Sequence, residues 1–169
     1  SDENLGLNSK QQAIGIILSG TGTDGSIGLK TIRAEAGLTM AQEPRSAKFA
    51  GMPQNAIAMG VVDIICSAAE MGARLHRFLH HRTVLPLQTG FGADDKRELN
   101  KILIFLRDRI GNDFSLYKTN TILRRLERRM SLHQIKTLAD YAKQLYADPG
   151  EAQALFKDLL IGVTAFFRD

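Results

Sequence analysis

Apolar positions change their rhythm once along the chain. Residues 13–18 (Ala-Ile-Gly-Ile-Ile-Leu) form a short, almost wholly apolar run, the pattern of a strand buried on both faces of a parallel sheet. A glycine-rich turn follows from Ser19 to Gly25. Ser26 to Ala36 then reads as a helix with Ile27, Leu29 and Ile32 inward and Gly37 as its C-terminal stop. Leu38 to Ala41 predicts a second strand. Pro53 opens a helix through Met59 that Gly60 ends, and Val61 to Cys66 predicts a third strand. Ser67 caps a further helix through about His80, with Glu70 as its capping-box partner. Strand and helix alternate, so this half is α/β with a mainly parallel sheet.

Residues 83–95 carry Pro86, Gly90, Gly92 and two aspartates without usable periodicity, which is linker chemistry. Beyond them no strand pattern occurs. Leu99, Ile102, Leu103, Leu106 and Ile110 repeat at helical spacing, and Tyr117 to Met130, Leu138 to Tyr146 and Glu151 to Ile161 predict three more helices. Asp148-Pro149 marks the break before the last of them. The expected organisation is a partial α/β domain over residues 1–82, a linker over 83–97 and an all-α helical domain over 98–169.

Composition narrows the class. One cysteine, Cys66, in 169 residues excludes a disulfide framework and any zinc site built on paired cysteines. No apolar run approaches the roughly 20 residues of a membrane span, and the start Ser-Asp-Glu-Asn lacks the basic and apolar parts of a signal peptide. A cytoplasmic location is the expectation. The net charge of +4 conceals a split: the chain up to Asp95 carries −1 and the remainder +5. The second half should therefore prefer an acidic partner.

The glycine-rich turn, Gly20-Thr21-Gly22-Thr23-Asp24-Gly25, satisfies the spacing G-x-G-x-x-G, with Glu43 near the end of the next strand. That is the outline of a dinucleotide fingerprint. Asp24, however, places a carboxylate where a pyrophosphate would need the donors of the helix N-terminus. A carboxylate at the carboxyl edge of a parallel strand can instead orient a histidine that activates a serine, or simply cap the helix. Pattern alone leaves these three readings level.

The segment Ile16-Ile-Leu-Ser-Gly-Thr-Gly-Thr-Asp-Gly-Ser-Ile-Gly-Leu29, followed by Ala41-Gln-Glu, Phe49-Ala-Gly-Met-Pro-Gln-Asn-Ala-Ile57 and Met59-Gly-Val-Val-Asp63, closely resembles the C-terminal part of the chemotaxis protein-glutamate methylesterase family, CheB. In that family the aspartate of this turn completes a Ser-His-Asp triad that hydrolyses receptor glutamate methyl esters; the matching position is Asp24. Thr21 stands where the family has methionine, and its backbone N–H is the counterpart of an oxyanion-hole donor. The family's serine and histidine lie upstream of the matched region. The resemblance thus implies that the chain starts partway through an esterase domain and hydrolyses no ester by itself. It also leaves strand 13–18 with an open edge, from which we expect an oligomer, a rearranged sheet or a poorly ordered first half.

On the predicted helix 117–130, a rotation of about 100° per residue puts Ile122, Leu123, Leu126 and Met130 on one face. Lys118, Arg124, Arg125, Arg128 and Arg129 gather on the other, with Glu127 between. The plain reading is a solvated face. The sharper one is a docking surface for carboxylates or phosphates, which arginine pairs bidentately; nucleic acid is the runner-up, with little aromatic interleaving to support it. Phe114-Ser-Leu-Tyr-Lys118, Leu123-Arg-Arg-Leu-Glu-Arg-Arg-Met130, Leu138-Ala-Asp-Tyr141 and Leu160-Ile-Gly-Val-Thr-Ala-Phe-Phe-Arg-Asp169 resemble the N-terminal helical domain of the chemotaxis receptor methyltransferases, CheR. There the arginine-rich helix faces the acidic methylation helices of the chemoreceptor, which implies docking roles for Arg124, Arg125, Arg128 and Arg129. The family's Thr-x-Phe-Phe-Arg motif contacts S-adenosylmethionine, which implies Thr164 and Arg168; Phe166 and Phe167 are expected in the core.

Weaker candidates remain. His76 and His80 stand at i, i+4 without an evident third metal ligand, so a surface pair is expected. Cys66 ends an apolar run and is expected to be buried, while Met52 and Pro53 read as packing and a helix start. Taken together the sequence predicts the junction of a fused methylesterase–methyltransferase, inactive by itself, whose basic helix docks an acidic helix. Two rivals stand beside it: a non-catalytic module for an acidic partner, and a dinucleotide-binding enzyme using residues 20–25.

Overall fold

A computed structural model describes the backbone of residues 13–84 and 91–167, and the side chains of residues 13–82 and 91–161. The chain divides into two compact units, residues 1–65 and 66–169, with the boundary inside the third strand. In the first unit β1 (Ile14–Ile17), α1 (Asp24–Ala34), β2 (Leu38–Gln42), a 3-10 turn (Pro44–Ser46), α2 (Gly51–Ala58) and β3 (Ile64–Cys66) follow in order. The strands lie in the order β1-β2-β3, with β1 and β2 parallel and Ile14 opposite Leu38. Strand β2 is buried at all five positions, as the central strand of a covered sheet should be. Ile17, Leu29, Ala41, Ala56 and Val61 form the core, where α1 and α2 meet the sheet. The expected α/β half is present, with β1 and β3 shorter than expected and β2 one residue longer.

One local expectation changes. Gly37 does not supply the left-handed residue that ends α1; Ala36 does, at φ 61°. Gly37 is required for another reason. A Cβ there would stand 2.3 Å from the Ala13 carbonyl oxygen and 2.9 Å from that of Ile32, so the helix end and the start of β1 can approach only past a bare backbone. Pro53 lies two residues inside α2 and Gly60 follows it at φ 70°.

The second unit is helical: α3 (Ala68–Val84), α4 (Ala93–Ile110), α5 (Thr119–Leu132), α6 (Leu138–Ala147) and α7 (Pro149–Phe167). Its core joins Leu99, Ile102 and Leu106 of α4 to Leu123, Leu126 and Met130 of α5, Tyr141 and Leu145 of α6, and Leu155 and Leu159 of α7. Gly111, at φ 92°, ends α4 by donating its N–H to the Arg107 carbonyl. Two expectations shift here. The stretch 83–97 is not linker throughout, because α3 runs to Val84 and α4 begins at Ala93; Asp94 and Asp95 occupy the first turn of α4, where carboxylates are favoured. Helix α3, assigned by sequence to the α/β half, packs on α5 of the helical unit. No described helix is long and apolar enough to cross a membrane.

Candidate functional site

The glycine-rich turn is stitched to the start of α2. Gly20 donates its N–H to the Phe49 carbonyl at 2.8 Å, and its own carbonyl accepts from the Met52 N–H at 2.9 Å. The Ser19 hydroxyl accepts from the Phe49 N–H at 2.8 Å, and Asn55 Nδ2 donates to the Gly22 carbonyl at 3.1 Å. Gly22 has φ 106°, a conformation that side chains resist. A Cβ on Gly25 would press on Ile17 and Met52. The glycines thus serve a tight turn packed beneath Met52, which gives that residue the packing role expected of it.

Within this turn Thr21 and Asp24 are both exposed. Thr23, not Asp24, takes the N-cap position of α1, its carbonyl accepting from the Ser26 N–H at 3.1 Å. Asp24 is the first helical residue, with its carboxylate in solvent beside the N-terminus. The plain capping reading therefore falls away. Asn55 was not singled out by sequence; an amide side chain one turn into the helix after the Gly-Met-Pro block is the signal that could have found it.

The arginine helix contradicts its sequence picture. Arg124 is exposed, but Arg125 is 5% exposed and Arg128 is fully buried. Arg128 Nη1 donates to Asp158 Oδ2 at 2.7 Å. Arg129 grips Glu151 with two bonds, Nε to Oε1 at 2.8 Å and Nη2 to Oε2 at 2.7 Å, the fork geometry that suits a carboxylate. His133 Nε2 lies 2.6 Å from Glu151 Oε2, and the Tyr141 hydroxyl donates to Oε1 at 2.8 Å. The two arginines expected to face a partner instead fasten α5 to α7. Glu151 and Asp158, at i, i+7 on α7, were the legible sign: two acids on one face of a helix, opposite an arginine pair.

Glu151 shows what that clamp does. Burial pushes its carboxyl up, but the bonds from Arg129 and His133 outweigh burial and hold it at about 2, while Arg129 is driven above its ordinary range. A carboxyl lowered in the folded state stabilises fully above the unfolded carboxylate range and loses that contribution as pH falls toward about 2. Tyrosine fluorescence reports this unit alone, because Tyr117, Tyr141 and Tyr146 all belong to it. The expected result is a steep loss of its denaturation midpoint between about pH 5 and 2, flattened in Glu151→Gln.

The remaining candidates divide. Cys66 is buried, and burial raises its thiol. His76 and His80 are exposed with their rings stacked at 6.2 Å, and no cluster of three metal-ligating side chains occurs among the described residues. Thr164 lies on the described backbone of α7, whereas Arg168 lies outside the described residues. The side chains of Thr164, Phe166 and Phe167 also lie outside them.

Comparison with known proteins separates the two halves. Residues 4–75 match the family model of the CheB methylesterase, and residues 97–160 match that of the CheR methyltransferase all-alpha domain. The first segment therefore belongs to the CheB methylesterases and the second to the CheR all-alpha domains. The chain carries them in tandem, as a CheB/CheR fusion does. An uncharacterized 104.1 kDa protein in the hypE 3′ region of Rhodobacter capsulatus is 34% identical over 94% of this chain and 19% of its own length. Protein-glutamate methylesterase/protein-glutamine glutaminase 2 of Burkholderia thailandensis is 49% identical over 41% of the chain and 20% of its own length. The protein-glutamate methylesterase FrzG of Myxococcus xanthus is 40% identical over 40% of the chain and 20% of its own length. The chain thus spans about a fifth of the length of these relatives.

Proposed function

We propose that this chain is the junction of a cytoplasmic bifunctional enzyme that hydrolyses and forms glutamyl methyl esters on a chemoreceptor or a similarly acidic helical protein. The observation that carries it is the order of two family segments on one chain, esterase first and methyltransferase second. In the esterase step Asp24 orients a histidine supplied from outside residues 1–169, and the Thr21 backbone N–H is the candidate oxyanion donor. In the methylation step S-adenosylmethionine, implied by the CheR family, supplies the methyl group. Thr164 and Arg168 are the positions that would hold it. Arg124, the exposed member of the four arginines, makes first contact with the acidic helix; Arg128 and Arg129 act indirectly, holding α5 in place through Asp158 and Glu151. The outer edge of β1, with Ile16 and Leu18 exposed, is where a second copy would pair.

The test is methanol release from methylated glutamyl helices, and ester formation with S-adenosylmethionine, in the longer protein and in residues 1–169. The longer protein is expected to perform both reactions and the segment neither. Hydrolysis by the segment alone, lost in Asp24→Ala, would overturn its inactivity. Absence of both reactions in the longer protein would favour a non-catalytic module.

A further inference from the structure

The two family segments leave residues 76–96 between them, and the C-terminal half of α3 falls in that gap. That stretch is nonetheless fastened. Helix α3 packs on α5, and its last turns carry the polar contacts. Gln134 Nε2 donates to the Arg77 carbonyl at 3.2 Å. His81 Nδ1 is 2.9 Å from the Ser131 hydroxyl in a buried setting. Arg82 approaches Glu127 at 4.0 Å, both side chains buried, with its guanidinium over the buried Phe78 ring. Arg77 and His81 are one turn apart on α3, as Glu127 and Ser131 are on α5. Gln134 follows in the turn after α5, at φ 56°.

We infer that residues 77–82 are a proton-operated latch: α3 is seated on α5 while His81 is neutral and is released when the ring takes a proton. Imidazole is the side chain whose charge changes between about pH 5 and 8. This one is 3% exposed, with Ser131 at Nδ1 and with Nε2 buried without a hydrogen-bond partner. A neutral ring leaves one nitrogen idle in that setting. A charged ring carries N–H on both nitrogens and buries its charge, which is costly unless paired. The α3 side of the latch lies outside both family matches, so the device belongs to the junction and stands whichever reactions the two halves perform.

The surrounding charges do not welcome the proton. Glu127, one turn before Ser131 on α5, is approached by Arg82. Lys136 follows Ile135 in the turn after α5, and Arg77, His80 and Arg82 accompany His81 on α3. Burial holds the imidazole below its ordinary range; the Ile135 backbone favours the proton, while Lys136 and His80 oppose it. Burial lowers Arg82 to about 10, so it keeps its charge across the same interval. A released ring returns to the ordinary imidazole value of about 6.5, whereas the seated ring stays below it. Seating is therefore fully stable above about 6.5 and weakens as pH falls below that value.

The experiment is hydrogen exchange of the α3 amides 77–82 in residues 1–169, at about pH 7.5 and about pH 5.5, with intrinsic chemical exchange divided out. Opening of this stretch should rise about tenfold between the two, the proton uptake of a released imidazole that the seated ring refuses. Amides of α6 and α7 should keep their protection over the same interval. His81→Gln, which keeps an amide for Ser131 and takes no proton, should hold the change within about twofold. His76→Gln/His80→Gln, on the exposed side of the same helix, should retain the full response. Should His81→Gln release α3 at both pH values, the imidazole signals of wild type decide: His81 should titrate below about 6.5. A ring that titrates at or above that value overturns the latch. So does equal α3 protection at both pH values in wild type, or an equal loss in α6 and α7, or a response that vanishes with His76 and His80.

Discussion

Asp158→Ala should destabilise the helical unit by about 3–5 kcal/mol, the range for removing one partner of a buried ion pair. Asp158 is 1% exposed and its partner Arg128 is not exposed at all. Losing the carboxylate removes the 2.7 Å partner of a guanidinium that water cannot reach, and Arg129, 3.9 Å from the same carboxylate, also loses a neighbour. The contrast is Arg124→Ala on the exposed side of the same helix, which should move stability by no more than about 0.5 kcal/mol. Replacing both partners, as Arg128→Met with Asp158→Leu, should recover most of the loss, because the penalty lies in the unpaired charge. Urea titration followed by tyrosine fluorescence reads all three. If Asp158→Ala and Arg124→Ala cost the same small amount, Arg128 is hydrated in solution, and the solvated arginine face expected from sequence is restored.

That correction has a physical origin. Helical spacing places Arg125, Arg128 and Arg129 opposite the apolar stripe of α5, and periodicity alone reads such a face as solvent-facing. A helix central to its unit keeps only a narrow solvent face, here at Arg124. Helix α7 covers one flank and α3 another, so the charges were paired across distances of 22 and 30 residues that no local rule spans. Element types were legible because their cues are local: the apolar run of β1, the spacing of Leu99 to Leu106, the break at Pro149. Boundaries were not, since α3 continues past His80 and α4 starts before Leu99, where no apolar repeat in the sequence marks the helix. The glycine-rich turn was legible as a turn and as a carboxylate site. Its anchoring by Asn55 and Phe49 was not, because the bonds cross about 30 residues. The same locality explains Gly37: a glycine after a helix suggests a left-handed stop, whereas close approach to Ala13 is a fact of packing.

If Asp24 has the triad role proposed above, Asp24→Asn in a protein that joins this segment to an esterase serine and histidine should lower kcat for ester hydrolysis by about 10³–10⁴-fold. A neutral amide in this position no longer selects the histidine tautomer that accepts the serine proton, nor balances the imidazolium that follows. Substrate binding does not depend on this charge, so KM should hold within about twofold. Folding should barely respond. Asp24 is exposed at the first position of α1, where a carboxylate contributes only about 0.3–1 kcal/mol through the helix dipole. The turn itself is fixed by Gly20, Gly22, Met52 and Asn55. A large kinetic loss with a small stability change thus separates a catalytic carboxylate from a structural one. Asn55→Ala, which frees the Gly22 carbonyl but keeps the carboxylate, should cost far less, about tenfold. A kcat unchanged in Asp24→Asn would remove the triad role from this turn. NAD binding by residues 1–169, lost in Gly22→Val, would then make it the dinucleotide loop that its glycine spacing also allows.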